Sequence, residues 1–259
     1  MISQPPRSYI LCATPRSGST YLCSLLASSG VAGVPESYFR AQDLARWAKG
    51  WGVSCPLGHP DFYPHYVQAV QHAGRTPNGV FAMRVMWGTM AEIVAALAPL
   101  CVSGTVDERA VLDQAFGHPR YVYLERRDHV AQAVSRLKAE QTDIWHVETG
   151  TQHFSPPDHD MGPVTGDEDR YAYDHQRLEG YVREAGLHNQ AWCRWFDHQG
   201  ITPLRIVYET LCAEPAQTIE AIFEYLGIPA QTAKPVASRN QKMADGLSAA
   251  WIERFNSRR

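Results

Sequence analysis

Arg16, Ser17, Ser19 and Thr20 surround Gly18 in the stretch Thr14-Pro15-Arg16-Ser17-Gly18-Ser19-Thr20. A planar guanidinium fork and several hydroxyls packed this closely form a donor set suited to an oxyanion. The run before them, Tyr9-Ile10-Leu11-Cys12-Ala13, is apolar and reads as a buried strand; the run after them, Tyr21-Leu22-Cys23-Ser24-Leu25-Leu26, has apolar residues at helical spacing. A strand that turns through Gly and Ser into a helix leaves backbone N–H groups without internal partners, and the helix dipole adds partial positive charge there. A phosphate or a sulfate is the ligand such a turn attracts. The competing interpretation is an ordinary strand-to-helix turn whose serines cap the helix.

The spacing narrows the anion. A nucleoside-triphosphate loop of the G-x-x-x-x-G-K-[ST] type needs a Lys just before its last hydroxyl and an earlier Gly at the end of the strand. Ser19 and Ala13 occupy those two positions. Cys12 belongs to the strand pattern and reads as a small buried hydrophobe, not as a phosphatase nucleophile. A second cluster lies in Glu125-Arg126-Arg127-Asp128-His129-Val130-Ala131-Gln132-Ala133-Val134-Ser135. Two arginines leave a strand together, and Arg is the residue suited to bidentate phosphate recognition. Taken alone, the pair also reads as solvated charge balanced by Glu125 and Asp128. Joined to the first turn, it makes a two-ended anion site.

Composition bounds what surrounds these clusters. The 259 residues suffice for one α/β domain with a full core, and we expect a single domain over 1–259. A hydrophobic fraction of 44% with 20% charged residues is that of an ordinary globular protein. The net charge of −3 gives no general pull towards nucleic acid or an anionic membrane, so anion binding has to be local. Cys12, Cys23, Cys55, Cys101, Cys193 and Cys212 are scattered without zinc or disulfide spacing, which favours a reducing compartment. No apolar run reaches the length of a membrane span and no signal core precedes residue 9, so a cytoplasmic location is expected.

The elements that must carry the clusters alternate. Val80-Phe81-Ala82-Met83-Arg84-Val85 reads as a second strand with a helix from Met90 to Leu100 after it; Arg120–Glu125 reads as a third strand leading into a helix from Val130 to Gln141. A long helix is expected from Tyr173 to Gln199, then a strand Leu204–Tyr208, a helix Ala216–Leu226 closed by Gly227, and a helical fragment Trp251–Phe255. The aromatic, Gly- and Pro-rich segment 36–66 reads as poor core and as the rim of an acceptor site. Residues 147–169, rich in Pro, Gly, Asp and Thr, read as a long loop or lid. Strand-helix alternation of this kind predicts a three-layer α/β fold with a mostly parallel sheet and the site at the carboxyl ends of its strands.

Several phrases, in order from about residue 9 to residue 255, resemble the bacterial Stf0 family of sulfotransferases. They are Pro15–Thr20, Gly33-Val34-Pro35, Asn78-Gly79-Val80, Met86-Trp87, Gln132-Ala133-Val134-Ser135, Gln141-Thr142 with Trp145, and Lys234-Pro235-Val236. The resemblance implies the P-loop-like sulfotransferase fold and a donor, 3′-phosphoadenosine-5′-phosphosulfate. Pro15, Arg16, Ser17, Gly18, Ser19 and Thr20 would then hold the 5′-phosphosulfate; Arg126, Arg127 and Ser135 would hold the 3′-phosphate; Arg239, in Arg239-Asn240-Gln241, matches a C-terminal nucleotide loop only loosely. Tyr208-Glu209 also matches as a phrase, although both residues suit a strand end and a helix start. Arg16 would stabilise charge growing on the bridging oxygen. No metal is implied, and no ligand cluster for one is seen.

On the acceptor side the chain departs from the family pattern. That pattern has carboxylates before Pro35 and two positions after it, where this chain has Val34 and Ser37. Glu36 is the expected general base through a local shift, its alternative being a carboxylate that faces water; His59, His65 and His146 compete for the role. Val34 implies an acceptor that differs from the family's sugar or binds differently. Trp47, Trp51, Phe62, Tyr63, Tyr66, Trp87 and Trp145 are candidate stacking faces, so a carbohydrate or glycolipid hydroxyl is the expected acceptor. A homodimer is expected by analogy alone. Two other readings stand beside this one. A nucleotide-dependent kinase lacks its loop Lys, and a non-catalytic nucleotide- or sugar-binding protein would bind donor without transferring anything.

Overall fold

The computed structural model describes residues 8–101, 107–142, 171–229 and 246–258. Strands β1 (Ser8–Ala13), β2 (Phe81–Met86), β3 (Arg120–Glu125) and β4 (Leu204–Val207) form a sheet in the order β2-β1-β3-β4. All three pairings are parallel, with Ile10 opposite both Met83 and Tyr121. Parallel strands covered on both faces read as continuous apolar runs, and every residue of β1 is buried.

The two-residue period of a strand divides the core between the two faces. Tyr9, Leu11, Val122, Leu124 and Ile206 pack with α1 (Ser19–Ser28) and α9 (Pro215–Leu226). Ile10, Cys12, Met83, Val85, Tyr121 and Tyr123 pack with α3 (Phe62–Ala73), α4 (Trp87–Leu97), α5 (Glu108–Phe116) and α7 (His175–His198). A third apolar cluster joins α6 (His129–Thr142), α7 and α10 (Gly246–Asn256) through Ala133, Val134, Leu137, Leu178, Trp251 and Phe255. The arrangement is the expected α/β architecture, with helices on both faces of the parallel sheet. Strand β1 lies between β2 and β3, so successive crossovers leave it in opposite directions. In such sheets the ligand crevice opens at the carboxyl ends on either side of that switch point.

The segment 36–66 differs from its expectation as poor core. It contributes α2 (Leu44–Gly50) and the start of α3, and Tyr38, Phe62 and Tyr66 are buried. The rings cover the outer part of the β2 side of the sheet, with Phe62 and Tyr66 stacked at 5.2 Å and Trp47 and Trp51 at 5.0 Å. Their hydroxyls are satisfied inside: Tyr38 donates to the Val34 carbonyl at 2.6 Å and Tyr66 to the Tyr38 carbonyl at 2.5 Å. A hydrogen-bonded phenol carries a large apolar area into a core at little polar cost. Phe62 and Tyr66 therefore offer no face to a ligand, while Trp47, Trp51, Tyr63 and Trp87 are half-buried. The loop 147–169, Trp145, His146, Lys234-Pro235-Val236 and Arg239 lie outside the described residues.

Candidate active site

The turn after β1 has the backbone of an anion cradle. Arg16 (φ 61°) and Gly18 (φ 91°) both adopt the left-handed region, and the Ser17 N–H donates to the Thr14 carbonyl at 3.2 Å. Gly18 is the N-cap of α1, so the helix starts on a residue with no capping side chain. The Ser17 hydroxyl makes no hydrogen bond and so does not cap it, which argues against the interpretation in which the serines serve as caps. Gly18 is also sterically required, because a Cβ there would lie 2.2 Å from the ring of Tyr208, at the start of α8 (Tyr208–Ala213). The Ser17 Oγ is buried without a hydrogen-bond partner.

The turn after β3 meets this cradle. The Arg16 Nε donates to the Ser135 Oγ at 3.0 Å, and Arg126 Nη1 donates to the Arg16 carbonyl at 3.2 Å. Gln132 reaches back from α6 to donate to Thr14 Oγ1 at 3.0 Å and to the Pro15 carbonyl at 2.6 Å. Arg126 lies over the Tyr208 ring at 4.5 Å, and its Nε is buried without a partner. Burial, and then the neighbouring Arg126, lower the Arg16 pKa from its ordinary value. Two guanidiniums held together against their repulsion, with an unpartnered donor on each side of the seam, fit an anion between them. Arg127 is more open to solvent than Arg126. Its exposed side chain lines an open cleft of about 680 Å³ shared with Glu125, Arg126, His129, Asn189 and Arg194.

A third group joins the cradle to the turn around Pro35. Arg84, in the middle of β2, is only 9% exposed. Its Nε donates to the Ser37 Oγ at 2.9 Å, and its Nη1 to Thr20 Oγ1 at 3.0 Å and Ser19 Oγ at 3.4 Å. Its Nη2 lies 3.7 Å from the carboxylate of Glu36, whose side chain is 45% exposed. The backbone helps, since Arg84 N–H donates to the Glu36 carbonyl at 3.0 Å along the edge of β2. The hydroxyls of Ser19 and Thr20 are therefore partners of Arg84. In the sequence Arg84 reads as one residue of an apolar strand. A lone cation inside such a strand is the signal that marks it, because a buried charge requires partners.

The remaining candidates fall elsewhere. His59 pairs with Asp61 at 3.7 Å, and His65 Nδ1 lies 2.8 Å from the Asp61 carbonyl and 3.7 Å from the Cys55 thiol; both contacts are exposed. Among the described residues, no group of three His, Cys, Asp or Glu side chains is arranged to hold a metal ion. No helix of the described residues is long and apolar enough to cross a membrane.

The parallel sheet thus brings the turn after β1, Arg16, Arg126 and, through Arg84, Glu36 together. The model of the Stf0 sulphotransferase family matches residues 8–258, and the chain belongs to that family of sulfotransferase enzymes. It is 29% identical to a trehalose 2-sulfotransferase of Mycolicibacterium smegmatis, over 98% of this chain and 96% of that protein. It is 27% identical to the trehalose 2-sulfotransferase of Mycobacterium tuberculosis, over 99% and 97% of the two chains. A solved sulfotransferase domain from the Synechococcus PCC 7002 olefin synthase superposes with a TM-score of 0.43 at 15% identity, covering 98% of this chain and 96% of that one.

Proposed function

We propose that the chain moves a sulfuryl group from 3′-phosphoadenosine-5′-phosphosulfate to a hydroxyl of a carbohydrate or glycolipid. The observation that carries the donor assignment is the uncapped start of α1, flanked by Arg16 and Arg126 with the unpartnered Ser17 Oγ and Arg126 Nε beside it. Pro15 to Thr20 would take the 5′ end, with N–H groups and Arg16 facing the bridging oxygen. Arg127 and Ser135 would take the 3′-phosphate, with Arg239 as a further contact. Arg126 holds the first turn in place through the Arg16 carbonyl.

In the reaction, the acceptor oxygen forms a new S–O bond as the S–O bond to the 5′-phosphate breaks in line with it. Adenosine 3′,5′-bisphosphate leaves with the added negative charge, which Arg16 and the helix start stabilise. Glu36 takes the proton from the acceptor hydroxyl, a task that needs a carboxylate within hydrogen-bond reach. Its place beside Arg84, which also binds the hydroxyls of Ser19 and Thr20, supports that role: base and sulfuryl cradle share one guanidinium. The similarity to trehalose 2-sulfotransferases supports a sugar acceptor, and Val34, apolar where the family pattern has a carboxylate, supports one that is not bound in the same way. No step calls for a metal.

Calorimetry with adenosine 3′,5′-bisphosphate, with and without magnesium and beside ATP, tests the donor assignment. Tight binding independent of magnesium, lost in Arg16→Ala and Arg127→Ala, is the expected result. Preference for ATP with magnesium would overturn it and favour a kinase. Donor binding with no transfer to trehalose or other sugars would leave a nucleotide-binding protein.

A further inference from the structure

Glu209 sits in the first turn of α8, just past the end of β4, near Arg126 and against the backbone of Arg127. Its carboxylate accepts the backbone N–H of Arg127 at 3.3 Å and that of Asp128 at 3.1 Å. Burial alone pushes this carboxyl up, but the N–H groups of Asp128, Glu209 itself and Arg127, with Arg126 nearby, hold it below the ordinary carboxylate range. It is therefore ionised at neutral pH. Asp128, in turn, accepts the Ala131 N–H at 2.8 Å at the start of α6. The short turn between β3 and α6 thus has two consecutive N–H groups and one carboxylate committed. The neighbouring Tyr208 supports Arg126 from below and closes on Gly18.

Charge alone argues against Glu209. An ionised carboxylate next to Arg126 and Arg127 weakens the local attraction for a phosphate. What it supplies instead is geometry: with the N–H groups of residues 127 and 128 occupied, the direction in which the Arg127 side chain leaves the sheet is set. We propose that Glu209 is a positioning residue for the 3′-phosphate of the donor, acting through the backbone of Arg127 and Asp128. Glu209 thereby makes the enzyme selective for nucleotides that carry that phosphate. This inference rests on the donor assignment above.

The two effects have opposite signs, so one substitution separates them. Affinities of wild type and Glu209→Gln are measured by calorimetry at neutral pH for adenosine 3′,5′-bisphosphate and for adenosine 5′-monophosphate, with the melting temperature of each protein as a control. The positioning role predicts that Glu209→Gln loses about tenfold in affinity for the bisphosphate, the scale of one or two hydrogen bonds. Affinity for the monophosphate stays unchanged and the melting temperature stays close to that of wild type. Equal or tighter binding of the bisphosphate by the variant would mean that Glu209 acts only as a charge, and overturns the proposal. So would a parallel loss for both nucleotides, which is what general loosening of the fold produces. A wild type that does not prefer the bisphosphate overturns the donor assignment itself, a result distinct from either.

Discussion

The turn at residues 14–20 and the turn at residues 33–37 are joined through Arg84 but are held in different ways. The first is shaped by backbone: left-handed Arg16 and Gly18 and a helix that starts on a glycine. Two side chains of α6, Ser135 and Gln132, tie down Arg16, Thr14 and Pro15. The Pro35 turn is held by distant partners: backbone bonds from Val34 to Gly74 and from Arg84 to Glu36, and the Arg84 side chain, 47 residues from Ser37 in sequence. A backbone device works wherever the local sequence recurs; a side-chain device depends on one distant residue, and its details can change while the cradle stays the same.

The largest effect is expected on the acceptor side. Glu36→Gln should lower kcat for sulfuryl transfer by about 10²–10⁴-fold, the range for removing a general base, with affinity for adenosine 3′,5′-bisphosphate unchanged. Wild-type turnover with the true acceptor would remove Glu36 from the chemistry. Gly18→Ala acts on the donor side alone. A left-handed φ together with a contact to the Tyr208 ring should cost about 1–3 kcal/mol of stability, and calorimetry should detect no bisphosphate binding. Near-normal binding would mean that the ring moves aside and the cradle is not rigid.

Arg84→Lys tests whether the two regions are coupled. Lysine keeps the charge but cannot reach Ser37 and Thr20 with a fork. About a tenfold loss in kcat and a smaller loss in donor affinity are expected; an effect confined to donor affinity would show that Arg84 does not serve the acceptor turn. The smallest effect belongs to the helices behind both turns. Glu140 binds Arg136 at 2.9 Å and Arg177 at 2.6 Å and also accepts from Tyr181. Burial pushes its carboxyl up, but Tyr181, Arg136 and Arg177 together hold it below the ordinary value. A carboxylate lowered on folding adds stability above its unfolded pKa and loses it as pH falls through the folded one. Glu140→Gln should therefore lower the melting temperature by about 2 °C or less at neutral pH, consistent with partly exposed ion pairs. The difference should vanish in acid. A loss that persists there would assign the effect to packing.

How far each region could be read follows from the same asymmetry. The strand, turn and helix at residues 8–28 were legible because an apolar run, a Gly and a helical period sit side by side and need no distant partner. The β3 turn was half legible. Two arginines in a row suggest anion binding, but not that Arg126 packs over Tyr208 while Arg127 stays exposed. In the segment 36–66, composition misled, since Gly, Pro and aromatic residues together look like a surface rim. The better signal was period: Phe62, Tyr66, Val67 and Val70 fall on one face of α3, and all are buried. Arg84 carried a signal of type without direction, because nothing local says which of its neighbours a buried guanidinium will bind.

The sequence by itself determined the alternating parallel α/β plan, the strand–glycine–helix turn at Gly18 and the family, because strand burial, helical period and left-handed glycine are properties of short segments. Only the tertiary structure decided that Arg84 bridges that turn and Glu36, that Gly18 packs against the Tyr208 ring, and that Glu209 fastens the turn carrying Arg127. Those contacts join residues from β2, from the end of β4 and from both anion turns. The parallel sheet brings its carboxyl ends together, and hydrogen bonds of about 3 Å form only once that neighbourhood exists.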